Sequence, residues 1–125
     1  MKNFDKLEVG KHYLDGNSEL FKIIKTIDFG GLKYIGENIF GWTNYYYEDG
    51  THYYTSFFDP KKDLREIVEN KTIHITKVVY GEYLLTLPEE TMNMYTSMGF
   101  KLMSILREEG YMRYVYYFQM EYKIN

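Results

Sequence analysis

The sequence predicts an α+β fold, and three observations carry that prediction. Short apolar and aromatic segments separated by Gly- and Asp-centred turns fill residues 11–55. Residues 87–110 place apolar side chains at helical spacing. From Tyr111 to Ile124 the side chains alternate strictly between two faces. Together they give an antiparallel β-meander, then a β-hairpin or strand, one long amphipathic helix and a C-terminal strand. At 125 residues the length suits one domain spanning 1–125, with a meander subregion at 1–70 and a strand-helix-strand subregion at 71–125.

In the meander, Asp15-Gly16-Asn17 turns the chain between Lys11–Leu14 and Glu19–Thr26, and Gly30-Gly31 closes a hairpin into Leu32–Glu37. A loop over Asn38–Gly41 leads to Trp42–Tyr47, and Asp49-Gly50 turns into Thr51–Thr55. Asp59-Pro60 interrupts the pattern, after which Leu64, Ile67 and Val68 fit one or two helical turns. Tyr-x-Asp-Gly occurs at Tyr13–Gly16 and again at Tyr47–Gly50, consistent with either an internal duplication or two independent turns.

In the second half, Lys71–Tyr80 is rich in β-branched residues and predicts a strand. Gly81-Glu82 fits a tight turn into Tyr83–Leu85, with continuation through Gly81 as a bulge the alternative. Thr86 and Glu89 form a capping-box pattern around Pro88, so a helix is expected from about Leu87. Tyr95, Gly99, Leu102, Met103 and Leu106 supply its apolar stripe, and Gly110 is placed to cap it. The final strand turns Met112, Tyr114, Tyr116, Phe118, Met120, Tyr122 and Ile124 to one face and is expected to pair with Lys71–Tyr80.

Composition narrows the chemistry. The chain has no cysteine, which removes disulfides, thiolate metal sites and a Cys nucleophile and suits a reducing compartment. Met1–Phe4 runs into charged residues rather than an apolar leader, and no apolar run reaches membrane-spanning length, so a cytoplasmic location and no membrane partner are expected. The net charge of -3 arises wholly in residues 1–70, which hold nine Lys or Arg against twelve Asp or Glu. No basic stripe is present, so nucleic acid is an unfavoured partner. His12, His52 and His74 lack metal-ligand spacing, no Ser lies in a Gly-x-Ser-x-Gly elbow, and Gly30-Gly31 lacks the rest of a phosphate loop. Structure or solubility accounts for Glu48-Asp49, Glu89-Glu90 and Glu108-Glu109. A non-enzymatic protein without metal or cofactor is the expectation.

The strongest local bias lies at Tyr34–Pro60, which holds ten aromatic residues and four carboxylates without a single Lys or Arg. Neighbouring residues of a strand face opposite ways, so the Tyr45-Tyr46-Tyr47 triplet cannot enter one core. Aromatic side chains left outside bring large contact area at low entropic cost. Trp42, Tyr45, Tyr47, Glu48, Asp49, Tyr53, Tyr54 and Phe57 are the candidate partner-binding residues.

Residues 10–69 also carry a resemblance. The succession Val9-Gly10-Lys11, Phe21-Lys22-Ile23-Ile24, Tyr34-Ile35-Gly36, Tyr46-Tyr47-Glu48-Asp49-Gly50 and Lys62-Asp63-Leu64-Arg65-Glu66-Ile67 resembles small β-domains encoded by phages and prophages. The resemblance implies a phage-type accessory protein in a bacterial host. With the acidic aromatic window, this leads to the expectation of a non-catalytic inhibitor that binds a basic surface of a host protein, such as a defence or transcription factor. The same rings could instead form a homodimer interface. Two further alternatives remain: a homodimeric sponge for a nucleotide signal, with Arg113, Lys101 or Lys33 contacting phosphate, and a single-strand nucleic-acid module using Lys22, Lys25 and Lys33.

Overall fold

The computed structural model describes residues 4–54, 59–82 and 87–125. The chain divides into two compact units, one at 1–70 together with Asn125 and one at 71–124. The architecture is mostly antiparallel sheet with a single short α-helix among the described residues.

The first unit is built from β1 (His12–Asp15), β2 (Leu20–Phe29), β3 (Leu32–Glu37), β4 (Thr43–Tyr47) and β5 (Leu64–Val68). They form one antiparallel sheet in the order β4-β3-β2-β1-β5. Beyond β4 the chain doubles back: the Tyr47 N–H donates to the Thr51 carbonyl and the Tyr53 N–H to the Tyr45 carbonyl, both at 2.9 Å, with Tyr46 bridging His52 between them. This brief pairing replaces the expected strand at 51–55; residues 55–58 lie outside the described residues. The returning segment meets the opposite edge of the sheet. The Leu64 N–H donates to the Gly50 carbonyl at 2.9 Å, and the His52 N–H to Asp63 Oδ1 at 2.8 Å. The sheet thus curls toward closure around a core of Leu7, Tyr13, Phe21, Ile23, Tyr46 and Leu64, flanked by Phe4 and Tyr34. Both fully buried tyrosines satisfy their hydroxyls: Glu8 N–H donates to that of Tyr13 at 3.0 Å, and Asn44 Nδ2 to that of Tyr46 at 3.3 Å.

The predicted helical turns at Leu64–Val68 are instead β5, which pairs with β1 from Asp15↔Leu64 to His12↔Val68. Leu64 and Val68 are both buried while Ile67 is exposed. A separation of four places two residues on one side of a helix and of a strand alike, so that spacing alone cannot choose. The free edge of β1 decides in favour of the strand. The two Tyr-x-Asp-Gly tetrads share Asx chemistry, since Asp15 Oδ1 accepts from Asn17 N–H at 2.8 Å and Asp49 Oδ1 from Thr51 N–H at 3.0 Å. Their backbones differ: Gly50 has φ +89°, whereas Gly16 lies outside that region and sits where a Cβ would come within 2.8 Å of the Lys61 carbonyl. The two turns thus share their Asx bond but not their geometry.

The second unit contains β6 (Lys71–Glu82), α1 (Glu89–Ser97), β7 (Lys101–Glu108) and β8 (Arg113–Ile124), with the strands ordered β6-β8-β7. The expected pairing of the C-terminal strand holds over its full length, from Lys71↔Ile124 to Glu82↔Arg113 without a register shift. This unbroken register also overturns the tight turn at Gly81-Glu82, because β6 continues through Gly81 opposite Tyr114 and does so without a bulge. Tyr83–Leu85 and the capping Thr86 lie outside the described residues.

The long amphipathic helix is not present; α1 spans nine residues. Gly99, with φ +99°, stops it in a Schellman arrangement: Gly99 N–H donates to the Thr96 carbonyl and Phe100 N–H to the Tyr95 carbonyl, both at 3.0 Å. The Phe100 and Tyr95 rings meet edge to face at 5.8 Å across the cap. Leu102, Met103 and Leu106, read as helical stripe, belong to β7, and Gly110 lies in the 3-10 turn joining β7 to β8. Tyr95 alone among the stripe residues keeps its predicted role, stacking on Phe118 at 4.9 Å. At the far end, Arg113 donates to Glu108 Oε1 at 2.8 Å and lies over the rings of Tyr80 and Tyr111, 4.0 and 4.5 Å from their centroids.

Phe118→Ala removes the ring on which Tyr95 of α1 stacks and Tyr116→Ala removes a second buried ring of β8, and each should destabilise the protein by about 3–5 kcal/mol in urea melts. Gly36→Ala puts a Cβ 2.8 Å from Tyr46 Cε2. It is expected to cost about 1–3 kcal/mol by overpacking, and an unchanged midpoint would show that β3 can move away from that ring.

Candidate functional site

The pleat of β4 divides the tyrosine triplet. Tyr46 is wholly buried, so Tyr45 and Tyr47 project from the outer face of the sheet. The returning segment brings Tyr53 beside Tyr45, through the hydrogen bond between their backbones; the two side chains are 43% and 38% exposed. On the other side of Tyr45 the register continues to Ile35 on β3 and Lys25 on β2. A row of Lys25, Ile35, Tyr45 and Tyr53 therefore crosses the outer face, with Lys22, Glu37 and Thr43 in a parallel row. The window that lacks basic residues along the chain gains two lysines from β2 in space.

At the end of β4, Tyr47, Glu48, Asp49 and Thr51 line a shallow cavity of about 430 Å³ together with Asp5, Gly31 and Lys33. The Asp49-Gly50 turn places this acidic pair: Asp49 is fixed by its bond from Thr51 N–H, and the Gly50 N–H donates to the Tyr47 carbonyl at 3.0 Å. Gly31 has φ +89°, a conformation that favours glycine, and a Cβ there would meet Tyr47 Cε1 at an ordinary contact distance of 3.6 Å. Three carboxylates face one lysine around this cavity, giving it a negative potential that a cationic side chain would neutralise.

The remaining candidates fall elsewhere. Trp42 is 74% exposed in the β3–β4 loop, at the opposite end of β4 from Glu48. Asn38 shapes that loop: its Oδ1 accepts from Phe40 N–H and Trp42 N–H, each at 3.0 Å, and Gly41 adopts φ +84°. Tyr54 is half-buried and leans on His52, with ring centroids 5.9 Å apart. Phe57 lies outside the described residues. The structure thus gathers Tyr45, Tyr47, Glu48, Asp49 and Tyr53 into one region and leaves Trp42 and Tyr54 apart from it. Residue types alone did not point to Asp5 and Lys33 as cavity residues, because neither belongs to the aromatic window; the Gly30-Gly31 hairpin tip was the available signal for Lys33.

His52 supports this region from within. Its ring meets Tyr46 edge to face at 5.8 Å, and its buried Nδ1 has no hydrogen-bond partner among the described residues. Burial, with Lys62 nearby, lowers its pKa against the opposing pull of Asp63 and Asp59. Burial beside Lys22 likewise lowers that of His12. Among the described residues no three His, Asp or Glu side chains converge to hold a metal ion, and no helix is long and apolar enough to cross a membrane. Of the three cations suggested for phosphate contacts, Lys33 lines the cavity of the first unit, Lys101 begins β7, and Arg113 on β8 is engaged by Glu108 and two rings.

The lowered pKa of His52 sets a pH dependence. Below its ordinary value near 6.5 the unfolded chain takes up a proton that the folded state resists, so stability is full above that value and falls as pH drops through it. Urea midpoints should therefore decline from about pH 7 to about pH 5, and His52→Phe should reduce the slope, leaving the share owed to His12. Comparison of the chain with family models, with curated proteins and with solved structures gave no match.

Proposed function

We propose that this protein is a non-catalytic binding module that holds a basic segment of another protein on the outer face of its first unit. The carrying observation is the acidic cavity of Asp5, Glu48 and Asp49 beside the exposed Tyr45–Tyr53 pair. A lysine or arginine of the partner enters the cavity, and the rings cover the adjoining apolar surface. In the setting implied by the resemblance to phage β-domains, the partner is a bacterial defence or transcription factor, and occupation of its basic surface inhibits it.

The row from Lys25 to Tyr53 favours one second reading, a module for single-stranded nucleic acid in which the rings stack on bases while Lys22, Lys25 and Lys33 meet phosphates. Glu37, Glu48 and Asp49 oppose it, since they would repel the same phosphates.

Charge reversal separates the two. Asp5→Lys with Glu48→Lys should abolish capture of a salt-sensitive protein from a bacterial lysate while strengthening any binding of a fluorescent oligothymidine. Tyr45→Ser with Tyr53→Ser should weaken either ligand about tenfold or more without lowering the melting temperature. Protein capture that survives both double variants would refute the proposed surface.

A further inference from the structure

His52 stands where the first unit closes on itself. Two bonds make that seam: the Leu64 N–H donates to the Gly50 carbonyl at 2.9 Å, and the His52 N–H donates to Asp63 Oδ1 at 2.8 Å. On its other side the returning segment is held to β4 by the bonds that join Tyr47 to Thr51 and Tyr53 to Tyr45, and by the isolated bridge between Tyr46 and His52. The five strands are joined by longer ladders, so residues 50–54 can part from the sheet at smaller cost than the strands themselves.

The imidazole is packed into this seam without an acceptor at Nδ1. It is 9% exposed, its ring lies against Tyr46 and Tyr54 at centroid distances of 5.8 and 5.9 Å, and its buried Nδ1 has no hydrogen-bond partner among the described residues. In the neutral ring that vacancy costs one unpaired polar atom. Protonation makes both ring nitrogens donors and adds a charge, so Nδ1 becomes a buried, ionised donor with nothing to receive its proton. The charged groups around the ring divide: Asp59 and Asp63 favour the proton, while burial and Lys62 oppose it and prevail. The phenols of Tyr46 and Tyr54 supply no counter-charge, because burial raises the pKa of both.

We propose that protonation of His52 opens this seam while the five-stranded sheet persists, releasing residues 50–54 from β4 and from Asp63 and carrying Tyr53 away from Tyr45. In the open form both nitrogens of the imidazolium reach water, and few backbone bonds are given up. The seam is closed above the ordinary histidine value near 6.5 and opens as pH falls below it. The consequence for binding rests on the role proposed for the first unit: an open seam separates the two rings, so the surface releases its partner in acid.

Amide hydrogen exchange read by NMR tests the opening without any partner. Protection of the Tyr53 and Leu64 amides should fall about tenfold between about pH 7.5 and about pH 5. Because the opening is local, both should exchange faster than the Ile23 amide, which donates to the Lys11 carbonyl between β2 and β1. Low urea should accelerate Ile23 and leave Tyr53 and Leu64 unaffected. His52→Phe keeps a ring against Tyr46 and takes up no proton, so its protection at Tyr53 and Leu64 should be the same at both pH values. Lys62→Gln removes an opposing charge from an exposed position and should make the acid loss smaller; it supplies the comparison if His52→Phe does not fold. Protection that is unchanged in acid overturns the proposal, as does an acid loss that persists in His52→Phe or is indifferent to Lys62→Gln. So does exchange of Tyr53 and Leu64 only in step with Ile23, which marks global unfolding. Failure to capture any partner at either pH strikes the binding role and leaves this test of the seam standing.

Discussion

Tyr46 has no exposed surface, and its ring occupies the space where a side chain on Gly36 would stand, with Cε2 2.8 Å from the position of that missing Cβ. This close approach fixes the phase of β4 against β3. Once Tyr46 points inward, the period of two leaves no choice for Tyr45 and Tyr47, which must face out. The same ring receives His52 from the returning segment, and that segment in turn carries Tyr53 to its place beside Tyr45. The composition of the outer face is therefore a consequence of how one phenol is packed on the inner one. Burial pushes the pKa of the Tyr46 hydroxyl up, and the phenol stays neutral where a charge would have no solvation.

The second unit shows a different economy. Its twelve-residue ladder between β6 and β8 supplies backbone pairing without interruption, and a nine-residue helix suffices to cover the aromatic side through Tyr95. The cap at Gly99 is what makes so short a helix possible. It returns the chain through Phe100 directly into β7, so that helix and edge strand are held by one turn and one pair of rings.

How far the sequence could be read follows from which residues carry unambiguous periodicity. The strict alternation from Met112 to Ile124 made β8 and its pairing with β6 legible, and the Asp-Gly and Gly-Gly turns located most of the first sheet. The errors arose where one spacing serves two structures. Leu64 and Val68 are four apart, as are Leu102 and Leu106; the first pair belongs to β5, whose partner β1 lies far away along the chain, and the second to β7, which forms a hairpin with β8. Gly99 read as a small residue within a helical stripe although it was the helix stop, with Phe100 behind it as the signal. The division of the tyrosine triplet was legible in principle, while its phase was not, since only the fit against Gly36 decides it. Lys22 and Lys25 could be linked to the aromatic face only through their place on the preceding hairpin, because cross-strand neighbours are separated by a hairpin rather than by a count of residues.

The loop shaped by Asn38 has one more implication. It carries the only tryptophan of the chain, and it holds that indole in water while the protein is fully folded. Emission from Trp42 is thus already red-shifted in the native state and changes little on denaturation. Its colour reports on what happens around the β3–β4 loop: a shift to the blue marks the arrival of something that excludes solvent there, with no label attached.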